Sequence, residues 1–165
     1  MSTASDTARK RREPAGPDRG EAFDLARFLP YLINRAGVRL ATAFAREIAP
    51  LGVTLQEWRV LAALAADGPQ RLSDLAALTS IDISTLSRLC DRMVRRDLVT
   101  RGRSDGDRRA VRLALSAKGR RTTQSIIPLA HHYERTALAG FDAGEAEALR
   151  AMLRRVYGNL RALPG

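Results

Sequence analysis

Five polar residues in the segment ISTLSRLCDRMVR, namely Ser84, Thr85, Ser87, Arg88 and Arg92, have types and spacing that suit contact with a nucleic-acid surface. Ile83, Leu86, Leu89 and Met93 recur at intervals of three and four, the repeat of a helix with one apolar side, and are expected to face inward. The polar set then faces outward. Short hydroxyls let a helix backbone approach the major groove, Arg88 has the planar fork to take a guanine edge, and Arg92, one turn on, suits a phosphate. A solvated polar face would carry the same residues and is the plain alternative.

Directly downstream, LVTRGRSDGDRRAVRLALS reads as a strand, a turn on Ser104-Asp105-Gly106, and a second strand in which Val111, Leu113 and Leu115 alternate with Ala110, Arg112 and Ala114. Arg101, Arg103, Arg108 and Arg109 surround the tip of this β-hairpin, a form narrow enough for a minor groove, where negative potential draws arginine. Asp107 is expected to orient one of these arginines, with a plain turn-forming role as the alternative, and Asp105 is expected to form the turn.

The surrounding sequence supplies helices to hold these parts. Pro30 fits the first turn of a helix that ends before Pro50 and has a wide apolar stripe. Thr54 and Glu57 form a capping box that opens a helix running to the Asp67-Gly68-Pro69 break. Ser73 is expected to cap a short helix, Asp82 the reading helix, and Ser116 a long helix with a kink at Pro128 and an end near Gly140. Asp142 and Glu145 open the last helix. The fold class is therefore mainly α with a small β-hairpin, and two short helices followed by a basic hairpin give a winged helix-turn-helix.

Composition agrees. In 165 residues there are 28 Lys and Arg against 18 Asp and Glu, a formal charge of +10. Only Lys10 and Lys118 are lysine, and residues 80–121 hold twelve basic residues against five acids. A polyanion such as double-stranded DNA is the natural partner, with arginine-rich codon usage as the bland alternative. Residues 1–21 read as a disordered basic tail around Arg9–Arg12, and residues 22–165 as a single domain. The chain has no apolar run long enough for a membrane helix and no secretory apolar block, and its one cysteine, Cys90, has no partner for an intramolecular disulfide. A cytoplasmic protein without membrane contact is expected.

Residues 54–119 resemble the MarR family of transcriptional regulators. The likeness runs through TLQEWRVLAAL, RLSDLAALTSIDISTLSRLCDRMVRRDLV and the wing SDGDRRAVRLALSAKG. Asp107, Arg109, Leu113, Leu115, Ser116 and Gly119 carry its most specific pattern, and Ser80 stands where glycine is common. The resemblance implies a winged helix-turn-helix at 54–116 with dimerisation helices at 24–50 and 117–162. It implies a homodimer on a pseudo-palindromic operator, Arg109 as the minor-groove arginine and Asp107 as its brace. Phe44, Ile126, Leu138, Leu149, Leu153, Val156 and Leu160 become the dimer candidates. It also implies a repressor released by a small aromatic or acidic effector, for which Tyr31, Arg35 and Trp58, with His131 or His132, are candidate ligand residues. Tyr31 and Trp58 at helical spacing are more often plain core residues, and a lone arginine such as Arg35 can simply close a salt bridge.

Enzymatic chemistry fits poorly. Two adjacent histidines, one cysteine and scattered acids make no nucleophile–base pair, metal cluster or phosphate loop, so no catalytic residue, metal or cofactor is expected. Cys90 sits among packing residues and is expected to be inert. The rival function is an architectural or nonspecific nucleic-acid binder, whose affinity would follow salt alone.

Overall fold

The structure of the chain is a computed structural model that describes residues 23–104 and 107–161, with the backbone alone described at 103, 104 and 107–111. The basic tail, the Asp105-Gly106 tip of the expected turn, and the side chains of Arg103, Asp107, Arg108 and Arg109 lie outside the described residues.

The elements in chain order are α1 (Leu29–Ile48), a 3-10 turn (Ala49–Leu51), α2 (Leu55–Asp67), β1 (Gln70–Arg71), α3 (Leu72–Thr79), α4 (Ile83–Arg95), β2 (Val99–Ser104), β3 (Asp107–Leu115), α5 (Ala117–Ala137) and α6 (Ala143–Leu160). Two compact units are present, the first ending at Arg35 and the second beginning at Ala36. In the first, the Phe23 and Phe28 rings meet edge to face at 5.1 Å, and the Arg35 guanidinium lies 6.0 Å from the centre of the Tyr31 ring.

The core of the second unit is one cluster. Phe44 and Ile48 from α1, Val60, Leu61 and Leu64 from α2, Leu75 from α3, Leu86, Leu89, Cys90 and Met93 from α4, Val99 and Leu113 from the strands, and Ile126 from α5 are all buried in it. Burying a Leu or Met side chain contributes roughly 1.5–3 kcal/mol, so α4 is anchored mainly by Leu86, Leu89 and Met93. Phe44 and Ile126, assigned to the dimer surface from sequence, are instead consumed by this core. Leu153 and Leu160 remain exposed, as do Leu32, Ile33, Val38 and Leu40 on α1.

The sheet has the order β1-β3-β2, antiparallel throughout. Val99 pairs with Leu115 and Gly102 with Arg112, as alternation predicts for a hairpin. The third strand, β1, was not expected. Gln70 and Arg71 pair with Leu113 and Arg112, which keeps the chain extended through Arg71. The helix after it consequently starts at Leu72 with Arg71 as its uncapped N-cap, and Ser73 lies inside the first turn, its hydroxyl donating to Asp74 at 3.3 Å rather than capping.

The other expected caps form. Thr54 and Glu57 exchange both capping-box hydrogen bonds, as do Asp142 and Glu145. The Ser116 hydroxyl accepts from the Gly119 N–H at 2.8 Å and donates to the Asp97 carbonyl. The long helix ends at Ala137, short of Gly140, and runs through Pro128. Ser80 closes α3 at φ +55°, the left-handed conformation that explains why glycine is favoured there.

Candidate nucleic-acid interface

Asp82 starts the reading helix. Its carboxylate accepts the Thr85 N–H at 2.9 Å and the Ser84 hydroxyl at 2.7 Å. The Thr85 backbone bond first, then the side-chain bonds, hold this carboxyl down at about 2 from the usual 3.8. A depressed folded value means that the cap is complete above about 3.8 and is lost as pH falls toward 2. Ser84 is thus partly engaged in capping, while Thr85, Arg88 and Arg92 are exposed and Ser87 is half-buried. All five sequence-predicted residues lie on α4. Their opposite face is held by Leu86, Leu89, Cys90 and Met93.

Ile83 departs from the expectation. It is 55% exposed, because Ile81, just before the cap, is buried in the same cluster as Leu86 and takes the inward place at this end of the helix.

The wing is fastened to α4 by Arg101, whose guanidinium pairs with Asp91. Arg101 therefore reaches the reading helix rather than standing apart at the hairpin. At the other end of α4, Arg96 donates to the Glu57 carboxylate at 2.6 Å and to the Gly52 carbonyl. Glu57 is 3% exposed and also accepts the Thr54 N–H, so one carboxylate joins the capping box of α2 to the C-terminus of α4. Lys118 adds a bond to the Arg96 carbonyl at 3.0 Å. Sequence spacing gave no sign of the Glu57–Arg96 pair, although an acid at the third helical position was visible as a cap.

Cys90 is buried on the inner face of α4, and burial pushes its thiol up to about 11, outweighing the nearby charge of Arg101. The sign is that of a neutral thiol at ordinary pH. Folded protein is expected to resist a thiol reagent at pH 8 that labels urea-unfolded protein at once, and to lose stability between about 9 and 11 as the unfolded thiol ionises first. Equal labelling of the two states would refute the buried-thiol assignment.

Trp58 lines a cavity of about 590 Å³ with Phe44, Tyr133, Arg59, Arg150 and Leu153. The Phe44 ring meets Trp58 at 5.7 Å and Tyr133 at 5.5 Å, both edge to face, and Arg150 pairs with Glu134 at 2.8 Å. The cavity is walled by aromatic rings with two guanidinium groups beside them. Its residues run from Ala36 to Leu153, whereas Tyr31 and Arg35 belong to the first unit. Tyr133 and Arg59 were not singled out from sequence. His131 is exposed, 3.7 Å from Glu134, and no group of three or more His, Cys, Asp or Glu able to hold a metal ion occurs among the described residues.

Residues 51–110, which run from the end of the 3-10 turn before α2 into β3, the central strand of the sheet, match the family model described as MarR family. The chain belongs to the MarR family. This MarR-family chain is 25% identical over 149 residues to the HTH-type transcriptional repressor NicR of Pseudomonas putida, a match covering 90% of this chain and 94% of the relative. A MarR-family regulator from Silicibacter pomeroyi superposes with a TM-score of 0.76 at 27% identity, over 86% of this chain and 96% of that one. BpsR of Bordetella bronchiseptica, whose DNA binding is regulated by 6-hydroxynicotinic acid, superposes with a TM-score of 0.73 at 26% identity, over 83% of this chain and 98% of that one. The MarR-family chain is accordingly a DNA-binding transcriptional regulator with the winged-helix fold. Among the described residues no helix is long and apolar enough to cross a membrane.

Proposed function

We propose that this regulator binds a pseudo-palindromic operator as a homodimer, represses transcription by occupying it, and is released by a small aromatic or acidic ligand. The observation that carries the proposal is the division of α4: four core side chains fix one face, leaving Thr85, Ser87, Arg88 and Arg92 displayed on the other with the wing clamped alongside by Arg101 and Asp91. Hydroxyls and one arginine match base edges, and the arginine nearer the C-terminus matches phosphate. The repressor name of the P. putida relative supports the direction of regulation.

Dimer formation is supported by the apolar residues left exposed on two helices, Val38 and Leu40 on α1 and Met152, Leu153 and Leu160 on α6. Light scattering is expected to give twice the 18.1 kDa protomer mass. Two reading helices about 34 Å apart then meet successive major grooves. The ligand proposal rests on the cavity with its aromatic walls and on the aromatic acid that regulates BpsR. Arg59 is the cation offered to a carboxylate there, since Arg150 is paired with Glu134.

Selection from a random duplex pool at near-physiological salt, with nonspecific competitor, tests this directly. An inverted repeat with half-sites one turn apart is the expected result; enrichment of no sequence would favour a nonspecific binder. On the selected site, Arg88→Ala is expected to cost about tenfold to a hundredfold in affinity and to relax preference at one base pair, whereas Arg92→Ala weakens all sequences alike and lowers the salt slope by about 1. Uniform loss in both variants would remove Arg88 from base reading.

A further inference from the structure

We propose that Ile83 reads the methyl group of a thymine in each operator half-site, as a base-specificity residue at the tip of the reading helix. This rests on the regulator function proposed above. Ile83 is the first residue of α4, the end at which recognition helices of this architecture meet base edges. Most of its surface is open, and its apolar neighbour Ile81 already fills the core beneath the cap. Removing Ile83's bulk would therefore cost the fold little.

Charge sorts what the two ends of α4 can touch. The Asp82 carboxylate stands beside Ile83 and disfavours a phosphate at this end, while Arg92, Arg95 and Arg96 collect at the other. The tip is thereby fitted to the floor of the groove rather than to the backbone. Ile83 and Ser87 are four residues apart and share one stripe of the helix, so a base contact by Ser87 brings the Ile83 side chain to a neighbouring base pair. In the major groove the thymine C5-methyl is the apolar group that an aliphatic side chain can recognise.

Replacing thymines of the selected duplex one at a time by deoxyuridine removes only that methyl. With the wild-type chain, one position per half-site is expected to bind about fourfold more weakly after replacement, and about fifteenfold with both half-sites replaced. Ile83→Ala is expected to bind the thymine duplex as the wild type binds the deoxyuridine one, to be indifferent to the replacement, and to keep the wild-type melting temperature. If a site is selected but no replacement matters, or if Ile83→Ala keeps the same sensitivity, the Ile83 assignment falls while the regulator function stands. Failure to select any site would sink both.

Discussion

Gly119→Ala is expected to lower the unfolding free energy by about 3 kcal/mol, the upper range for overpacking a rigid contact. A Cβ built at Gly119 would lie 1.9 Å from the Leu98 carbonyl oxygen and 2.9 Å from its carbon, both backbone atoms that no rotamer change can move. The same carbonyl accepts the Ser116 N–H at 3.2 Å, and the Ser116 hydroxyl bonds Asp97 and Gly119. The start of α5 is thus clipped against the turn between α4 and β2, and the clash can be relieved only by opening that clip. Equilibrium urea denaturation measures the loss. Ser116→Ala, which removes the clip without a clash, should cost about 1 kcal/mol. If Gly119→Ala costs no more than Ser116→Ala, close backbone approach is not what requires glycine at this position.

The second large effect belongs to the carboxylate that joins α2 to the end of α4. Glu57→Ala is expected to cost about 3 kcal/mol, since it removes both an ion pair and half of a capping box. Arg96→Ala is expected to cost at least as much. Its loss leaves the Glu57 carboxylate buried with the Thr54 N–H as its remaining bond, whereas Arg96, with its side chain 44% exposed, can turn to water when Glu57 is lost. The double variant Glu57→Gln with Arg96→Met should recover much of either single loss, because neither an orphaned charge nor a cavity remains. Urea denaturation of Glu57→Gln, Arg96→Met and their double variant closes a double-mutant cycle that reads this coupling, and additive losses would show that the pair does not act as a unit. Because Arg96 closes α4, the Glu57 variants should also weaken operator binding more than exposed substitutions of similar stability cost.

Much of this protein was legible in its sequence because the signals are local. The caps at Thr54, Asp82, Ser116 and Asp142 each bond a backbone group three residues away, and a three-residue separation is written directly in the chain. The wing was visible because its two strands are neighbours in sequence, and their alternation assigns faces without knowledge of anything else. The reading helix followed from periodicity at Leu86, Leu89 and Met93.

Periodicity misplaced Ile83, since it reports a face of the helix and not where the core ends along it. The fault at Ser73 had a similar origin. A serine near a helix start is a sound cap signal, but two residues of β1 pair with β3 across more than forty positions and set the start elsewhere. Phe44 and Ile126, dimer candidates by family resemblance, lie in the core because a likeness between apolar helices does not say which of their residues face their own chain and which a second copy.

The sequence by itself determined the helix boundaries set by caps, the wing, the concentration of arginine around it, and the polar residues on the outer side of α4. Tertiary structure alone decided that Glu57 meets Arg96 across 39 residues, that Arg101 is held by Asp91, that Gly119 must lack a side chain, and that Trp58, Tyr133 and Arg59 share one cavity. The physical reason is range. Hydrogen bonds and periodicity within a turn or two follow from backbone geometry, whereas contacts between distant segments depend on how packed elements fill space around a common core.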